Sequence, residues 1–143
     1  MPRNAIFIHV PKTAGRTVES ILRRNYPAAG IYSIYGLWGA IPAAAMTLRA
    51  MSEAEKRPIQ LVMGHTPFGW HRMFPWPMPY IAYLREPTDR IVSLYYYLLK
   101  VSRHPVLTMI QENGWSLLDF VQSGCVSDVD NDQIGRASCR ERV

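Results

Sequence analysis

The sequence predicts an α/β fold, a parallel sheet flanked by helices, and three observations predict it. Short apolar runs alternate with longer segments of helical periodicity, the pattern of parallel strands joined by helical crossovers. The first run, Ala5-Ile6-Phe7-Ile8-His9-Val10, is apolar almost throughout, as in a strand covered on both faces. Three runs end in polar residues, Pro11-Lys12, Gly64-His65 and Arg85-Glu86, and a parallel sheet gathers such ends along one edge, where ligands bind.

Each element has its own local reason. The Ala5–Val10 strand leads into a polar turn, residues 11–17, and Val18, Ile21 and Leu22 then recur at helical spacing. A helix therefore starts near Gly15 or Arg16 and ends near Asn25. Ile31–Tyr35 reads as a short strand and Gly36–Ile41 as a turn. Pro42 suits a first helical residue, strong helix formers follow from Ala43 to Lys56, and Pro58 stops them. Ile59–Met63 is a buried strand ending at Gly64-His65. Phe68–Pro79, rich in proline, glycine and tryptophan, reads as a loop. Tyr80–Leu84 is the next strand. Pro87 opens a helix that places Ile91, Leu94, Tyr95 and Leu98 on one face. Val106–Glu112 and Ser116–Gln122 are two further helices, split by Asn113-Gly114.

Composition narrows the function classes. The chain has 143 residues, 48% of them apolar and 19% charged, enough for one globular domain with a core. No apolar run reaches the roughly 18 residues that a membrane span needs, and no signal peptide fits the start. Cys125 and Cys139 have neither metal-ligand spacing nor a disulfide framework around them, so a reducing compartment is expected. The formal charge is +5. It forms no long basic stripe, which disfavours nucleic acid as a partner.

The turn after the first strand carries the chemistry. A turn that opens a helix presents unpaired N–H groups and the positive end of the helix dipole. Lys12, Thr13, Arg16 and Thr17 add two cations and two hydroxyls, and Gly15 permits close backbone approach. The reading is a cradle for a phosphate-like group, against the alternative of a basic surface loop. The order of residues is not that of a Walker A loop. Arg85, with Arg90 and Ser93, forms a candidate second anion site; the alternative is that Arg85-Glu86 and Asp89-Arg90 are solvated ion pairs. Tyr95, Tyr96 and Tyr97 read as core and helix surface. His65, after Gly64 on the ligand edge, is the candidate general base, with His71 its competitor. His9 reads as a packed core residue and His104 as a helix-end residue. No metal site is expected.

Two of these stretches resemble a known family. Ile6-Phe7-Ile8-His9-Val10-Pro11-Lys12-Thr13-Ala14-Gly15-Arg16-Thr17 resembles the 5′-phosphosulfate loop of the sulfotransferases, nearest to the uronyl 2-O- and related carbohydrate sulfotransferases. Leu84-Arg85-Glu86-Pro87-Thr88-Asp89-Arg90-Ile91-Val92-Ser93-Leu94-Tyr95 resembles the family's 3′-phosphate motif, and Asp130-Asn131-Asp132-Gln133 a later segment. The resemblance implies a P-loop-like parallel sheet and 3′-phosphoadenosine 5′-phosphosulfate (PAPS) as donor. The acceptor would be a hydroxyl, of a carbohydrate in the nearest relatives. Lys12 would contact the bridging oxygen and the 5′-phosphate. Thr13, Ala14, Gly15, Arg16 and Thr17 would complete the loop contacts, Arg85 and Ser93 would hold the 3′-phosphate, and His65 would match the family's base. Arg16 departs from the family pattern, which often has a small hydroxyl residue there. The resemblance implies a cytoplasmic protein if the source is bacterial; eukaryotic relatives are Golgi-lumenal. The rival readings are a P-loop kinase and a nucleotide-binding module without catalysis. Trp70 and Trp76 are candidates for a sugar-facing wall or for core packing.

Residues 134–143 resemble the translation of a sequencing-adapter oligonucleotide. Residues 1–133 are therefore expected to be a partial sulfotransferase domain, incomplete at its C-terminal side and inactive by itself.

Overall fold

The computed structural model describes residues 3–35, 40–101, 104–124, 129 and 133. The sequence segments Gly36–Gly39, Asp130–Asp132 and 134–143, and both cysteines, lie outside the described residues. Four strands form an all-parallel sheet: β1 (Ala5–Ile8), β2 (Ile31–Ile34), β3 (Leu61–Gly64) and β4 (Tyr80–Ala82), in the order β2-β3-β1-β4. The helices are α1 (Gly15–Asn25), α2 (Ala40–Ala50), α3 (Glu53–Lys56), α4 (Pro87–Leu98), α5 (Pro105–Asn113) and α6 (Leu117–Gln122). The α/β class with a parallel sheet and flanking helices is thus the observed architecture.

Alternation along β1 explains its continuous apolarity. Ala5 and Phe7 face Val18, Leu22 and Tyr26 of α1 and its end, together with Leu61 and Met63. Ile6 and Ile8 face the other side, with Val62, Leu48 of α2, Trp70, Phe74 and Met78. All four β1 residues are buried, and full burial of such side chains contributes roughly 1.5–3 kcal/mol for each large one. A third cluster joins Leu94, Tyr95 and Leu98 of α4 to Ile110 of α5 and Phe120 of α6, with Ile91 packed against it. That is the face the helical spacing predicts.

Several boundaries differ from the sequence reading. The segment read as one helix from Ala43 to Lys56 is two helices. Ser52 accepts a hydrogen bond from the Glu55 N–H, and the Glu55 carboxylate answers the Ser52 N–H, so a capping box restarts the chain there. Pro42 lies one turn inside α2, still within the stretch where no internal N–H partner is needed. Phe68–Pro79 is not merely a loop. It holds a 3₁₀ turn at Trp70–Met73 and delivers Trp70, Phe74 and Met78 to the core. β4 ends at Ala82, whose partner Ile8 is the last residue of β1. Tyr83 and Leu84, read as strand, are exposed. Among the described residues no helix is long and apolar enough to cross a membrane.

Candidate functional site

The sheet register sets the site. Ile8, Gly64 and Ile34 lie on one rung of β1, β3 and β2. The next residues, His9, His65 and Tyr35, therefore stand side by side just past the C-terminal edge, on the face that carries α1. Their rings pack together: His9 and His65 at 4.8 Å between centroids, Tyr35 and His65 at 5.3 Å. Gly64 makes this row possible. Its φ is +146°, and a Cβ there would meet the Ile34 carbonyl oxygen at 1.9 Å.

The His65 ring is oriented by the backbone. Its Nδ1 lies 2.8 Å from the His9 carbonyl oxygen. A carbonyl only accepts, so Nδ1 carries the proton, and in the neutral ring Nε2 holds the lone pair. His9 is buried, as expected, but it is not an inert core residue. Its Nδ1 is 3.0 Å from the Tyr35 hydroxyl, and its ring stacks on Phe7. Burial, with the charge and hydrogen bond of Glu19 adding to it, pushes the Tyr35 phenol well above its ordinary value. It therefore stays protonated throughout the physiological range.

The turn from Pro11 to Ala14 is strained. Lys12 and Ala14 adopt left-handed φ values of 68° and 62°, a conformation that costs a residue with a Cβ roughly 1–2 kcal/mol. Ala14 is the N-cap of α1 and offers no side-chain cap, and the first turn holds no acidic residue. Gly15 is required for a reason the sequence reading did not supply. A Cβ there would fall 1.9 Å from Cδ2 and Nε2 of His9. Thr13 departs from its expected role. It is buried, and its hydroxyl donates to the Val10 carbonyl at 2.8 Å, closing the turn.

These parts enclose a cleft of about 840 Å³. Lys12, Ala14, Gly15, Arg16, Thr17, His65, Arg85 and Ser93 all line it. Of the residues that the family resemblance assigns to the site, Thr13 is missing from the wall, as are Arg90 and His71 among the other candidates. The cleft also takes His9, Tyr35, Glu19, Tyr97 and His104, which sequence reasoning did not assign to it. For the first two the signal was available, since position 9 continues the Ala5-Phe7 face and position 35 ends the neighbouring strand. Burial, then the charges of Arg85 and Lys100, lower the Lys12 pKa from its ordinary 10.5. The ammonium also sits 4.2 Å from the centroid of the Tyr97 ring. An anion placed among these cations relieves their repulsion.

Arg85 follows β4 by three residues rather than ending the strand. Its guanidinium is 3.8 Å from Asp89, both side chains exposed, a pairing of little strength. The Gln133 side chain grips its backbone from a position 48 residues later. Gln133 Oε1 accepts from the Arg85 N–H at 2.8 Å, and Nε2 donates to the Arg85 carbonyl at 3.0 Å. Arg90 does not join Arg85 and Ser93, for it is 2% exposed and outside the cleft wall. His71 is also elsewhere, bonded through Nδ1 to the Tyr80 hydroxyl at 2.8 Å and packed on Phe68. His104 caps α5, its Nδ1 accepting from the Val106 N–H. Trp70 is a core residue at 4% exposure, and Trp76 packs against the same core, so Trp70 forms no sugar-facing wall. Among the described residues no cluster of three or more His, Cys, Asp or Glu is arranged to hold a metal.

Compared with family models, curated proteins and solved structures, the chain matches none of them.

Proposed function

We propose that this chain is the donor-binding part of a sulfotransferase with a P-loop-like sheet, moving a sulfuryl group from PAPS to a hydroxyl, with a carbohydrate as the acceptor class. One observation carries the reading. The turn at Lys12–Thr17 (Thr13 excepted), His65, and the pair Arg85 and Ser93 come from segments that follow three different strands, and they line the same cleft. Support also comes from the strand order, which sets β1 between β3 and β4 and lets the turn after this inner strand open α1.

The donor fits the residues present. The uncapped start of α1 and the Lys12–Arg85 cation pair call for anionic groups at two places in the cleft. Lys12, with the N–H groups that open α1, holds the 5′ end and stabilises charge on the departing phosphate oxygen. Arg85 and Ser93 hold the 3′-phosphate. His65 Nε2 accepts the proton of the acceptor hydroxyl. The new bond then forms between that oxygen and sulfur as the bond from sulfur to the phosphate oxygen breaks.

Calorimetry with two nucleotides tests the assignment. 3′,5′-Diphosphoadenosine binds more tightly than adenosine 5′-monophosphate by about tenfold to a hundredfold, the value of one charge-assisted contact. Arg85→Ala removes most of that difference. Equal affinity of the unaltered protein for both nucleotides overturns the 3′-site assignment. Tighter binding of ATP with magnesium points instead to a kinase, and diphosphoadenosine binding with no sulfuryl transfer to a generic hydroxyl acceptor points to a binding module.

A further inference from the structure

We infer that Gln133 is a positioning residue for the 3′-phosphate contact, holding Arg85 in the direction that phosphate recognition needs. The inference rests on the sulfotransferase reading and goes beyond it. Among the described residues, no ladder supports the segment that holds Arg85. The last rung of β4 is at Ala82, and residues 83–86 are exposed. The cap of α4 fixes the chain only from Glu86 onward. Between these two anchors, the Gln133 carboxamide bonds both backbone polar groups of Arg85. It takes the place that the peptide of a neighbouring strand would fill, and two opposed bonds fix a direction as one cannot.

The cost structure favours this role. Gln133 is 8% exposed, and both ends of its amide are used on this one residue. A buried amide that lost either partner would be left unsatisfied. Among the described residues the Arg85 guanidinium has only the loose Asp89 contact to orient it, so its backbone direction decides whether the side chain enters the cleft beside Ser93. A long, flexible side chain on a wandering backbone gives up entropy when it binds, and a fixed backbone removes part of that loss.

The experiment compares 3′,5′-diphosphoadenosine with adenosine 5′-monophosphate by calorimetry, in the full chain and in two variants. Gln133→Met keeps the length of the side chain and removes both hydrogen bonds. Gln133→Glu keeps an acceptor for the Arg85 N–H and loses the donor to its carbonyl. The preference for the 3′-phosphorylated nucleotide falls about tenfold in Gln133→Met, as expected when one charge-assisted contact weakens. The fall is smaller in Gln133→Glu, and monophosphate affinity is unchanged in both. If both variants keep the full preference, Gln133 does not position Arg85 and the inference is overturned, while the donor reading stands. If they lose both nucleotides in equal proportion, Gln133 merely supports the fold, and the inference is again overturned. If the unaltered chain shows no preference at all, it is the donor reading that fails.

Discussion

The helices that follow the two anion contacts, α1 and α4, begin in opposite ways. α4 answers its own needs. Glu86 accepts from the Asp89 N–H at 2.7 Å, Pro87 occupies the first turn without a donor to satisfy, and Asp89 adds a negative charge. α1 answers none of them from its own first turn, where the N-cap is a left-handed alanine and no acid follows. A good cap alone is worth about 1 kcal/mol, so the α1 end is held at a local cost. The lesson is that the two anion contacts differ in kind. At α1 the backbone itself is the receptor. At α4 the helix end is already satisfied, and an anion there depends on the side chains of Arg85 and Ser93.

The largest test of this contrast lies beside the α1 end, in the row of rings. His65→Ala, in a turnover-competent chain, lowers the rate at saturating donor by about 10²–10⁴, the usual contribution of a positioned base, and leaves donor affinity nearly intact. His71→Ala is the comparison and costs far less. Near-normal turnover in His65→Ala with loss in His71→Ala moves the base into the segment between Phe68 and Pro79.

Gly15→Ala gives a second, smaller effect at the same end. The added methyl group meets the His9 ring, which is itself held by Tyr35, Phe7 and His65. Overpacking of this sort costs about 1–3 kcal/mol. A urea titration detects it as a lower midpoint with an unchanged slope. An unshifted midpoint would mean that the His9 ring has room to withdraw.

The smallest effect belongs to the α4 end. Hydrogen bonds from the Asp89 and Thr88 N–H groups hold the Glu86 carboxyl below its ordinary 4.5. A depressed carboxyl stabilises the fold above its unfolded pKa, and the contribution is lost as pH falls through the folded value. Glu86→Gln therefore melts slightly below the parent at neutral pH, and the gap closes as pH falls below 4.5. A gap that persists at a pH low enough to protonate the folded carboxyl would show that the carboxylate charge is not what caps α4.

What was legible in the sequence follows from these local rules. The strand before Pro11, the start of α1 and the buried face of α4 all obey a simple period, and they stand as read. The clustering of Lys12, His65 and Arg85 was legible because strand ends in a parallel sheet share an edge. The 68–78 segment was not, since Trp70, Phe74 and Met78 enter the core from a chain with no repeating pattern. Tyr83 and Leu84 have strand-forming side chains, but the partner they would pair with ends first. Thr13 carries a ligand-like hydroxyl that the turn consumes. The Gln133 contact spans 48 residues, and no local pattern announces a bond of that range.

The fit of His9 against Gly15 ties two positions into one evolutionary unit. As long as residue 9 bears a ring at that place, residue 15 has no room for a side chain. A lineage that enlarged position 15 first would push the ring into its neighbours. One that shrank position 9 first would open a void beneath the anion turn and give up the bond to Tyr35. Each change made alone is thus expected to cost stability, and a paired substitution that shrinks position 9 as it enlarges position 15 relieves the clash.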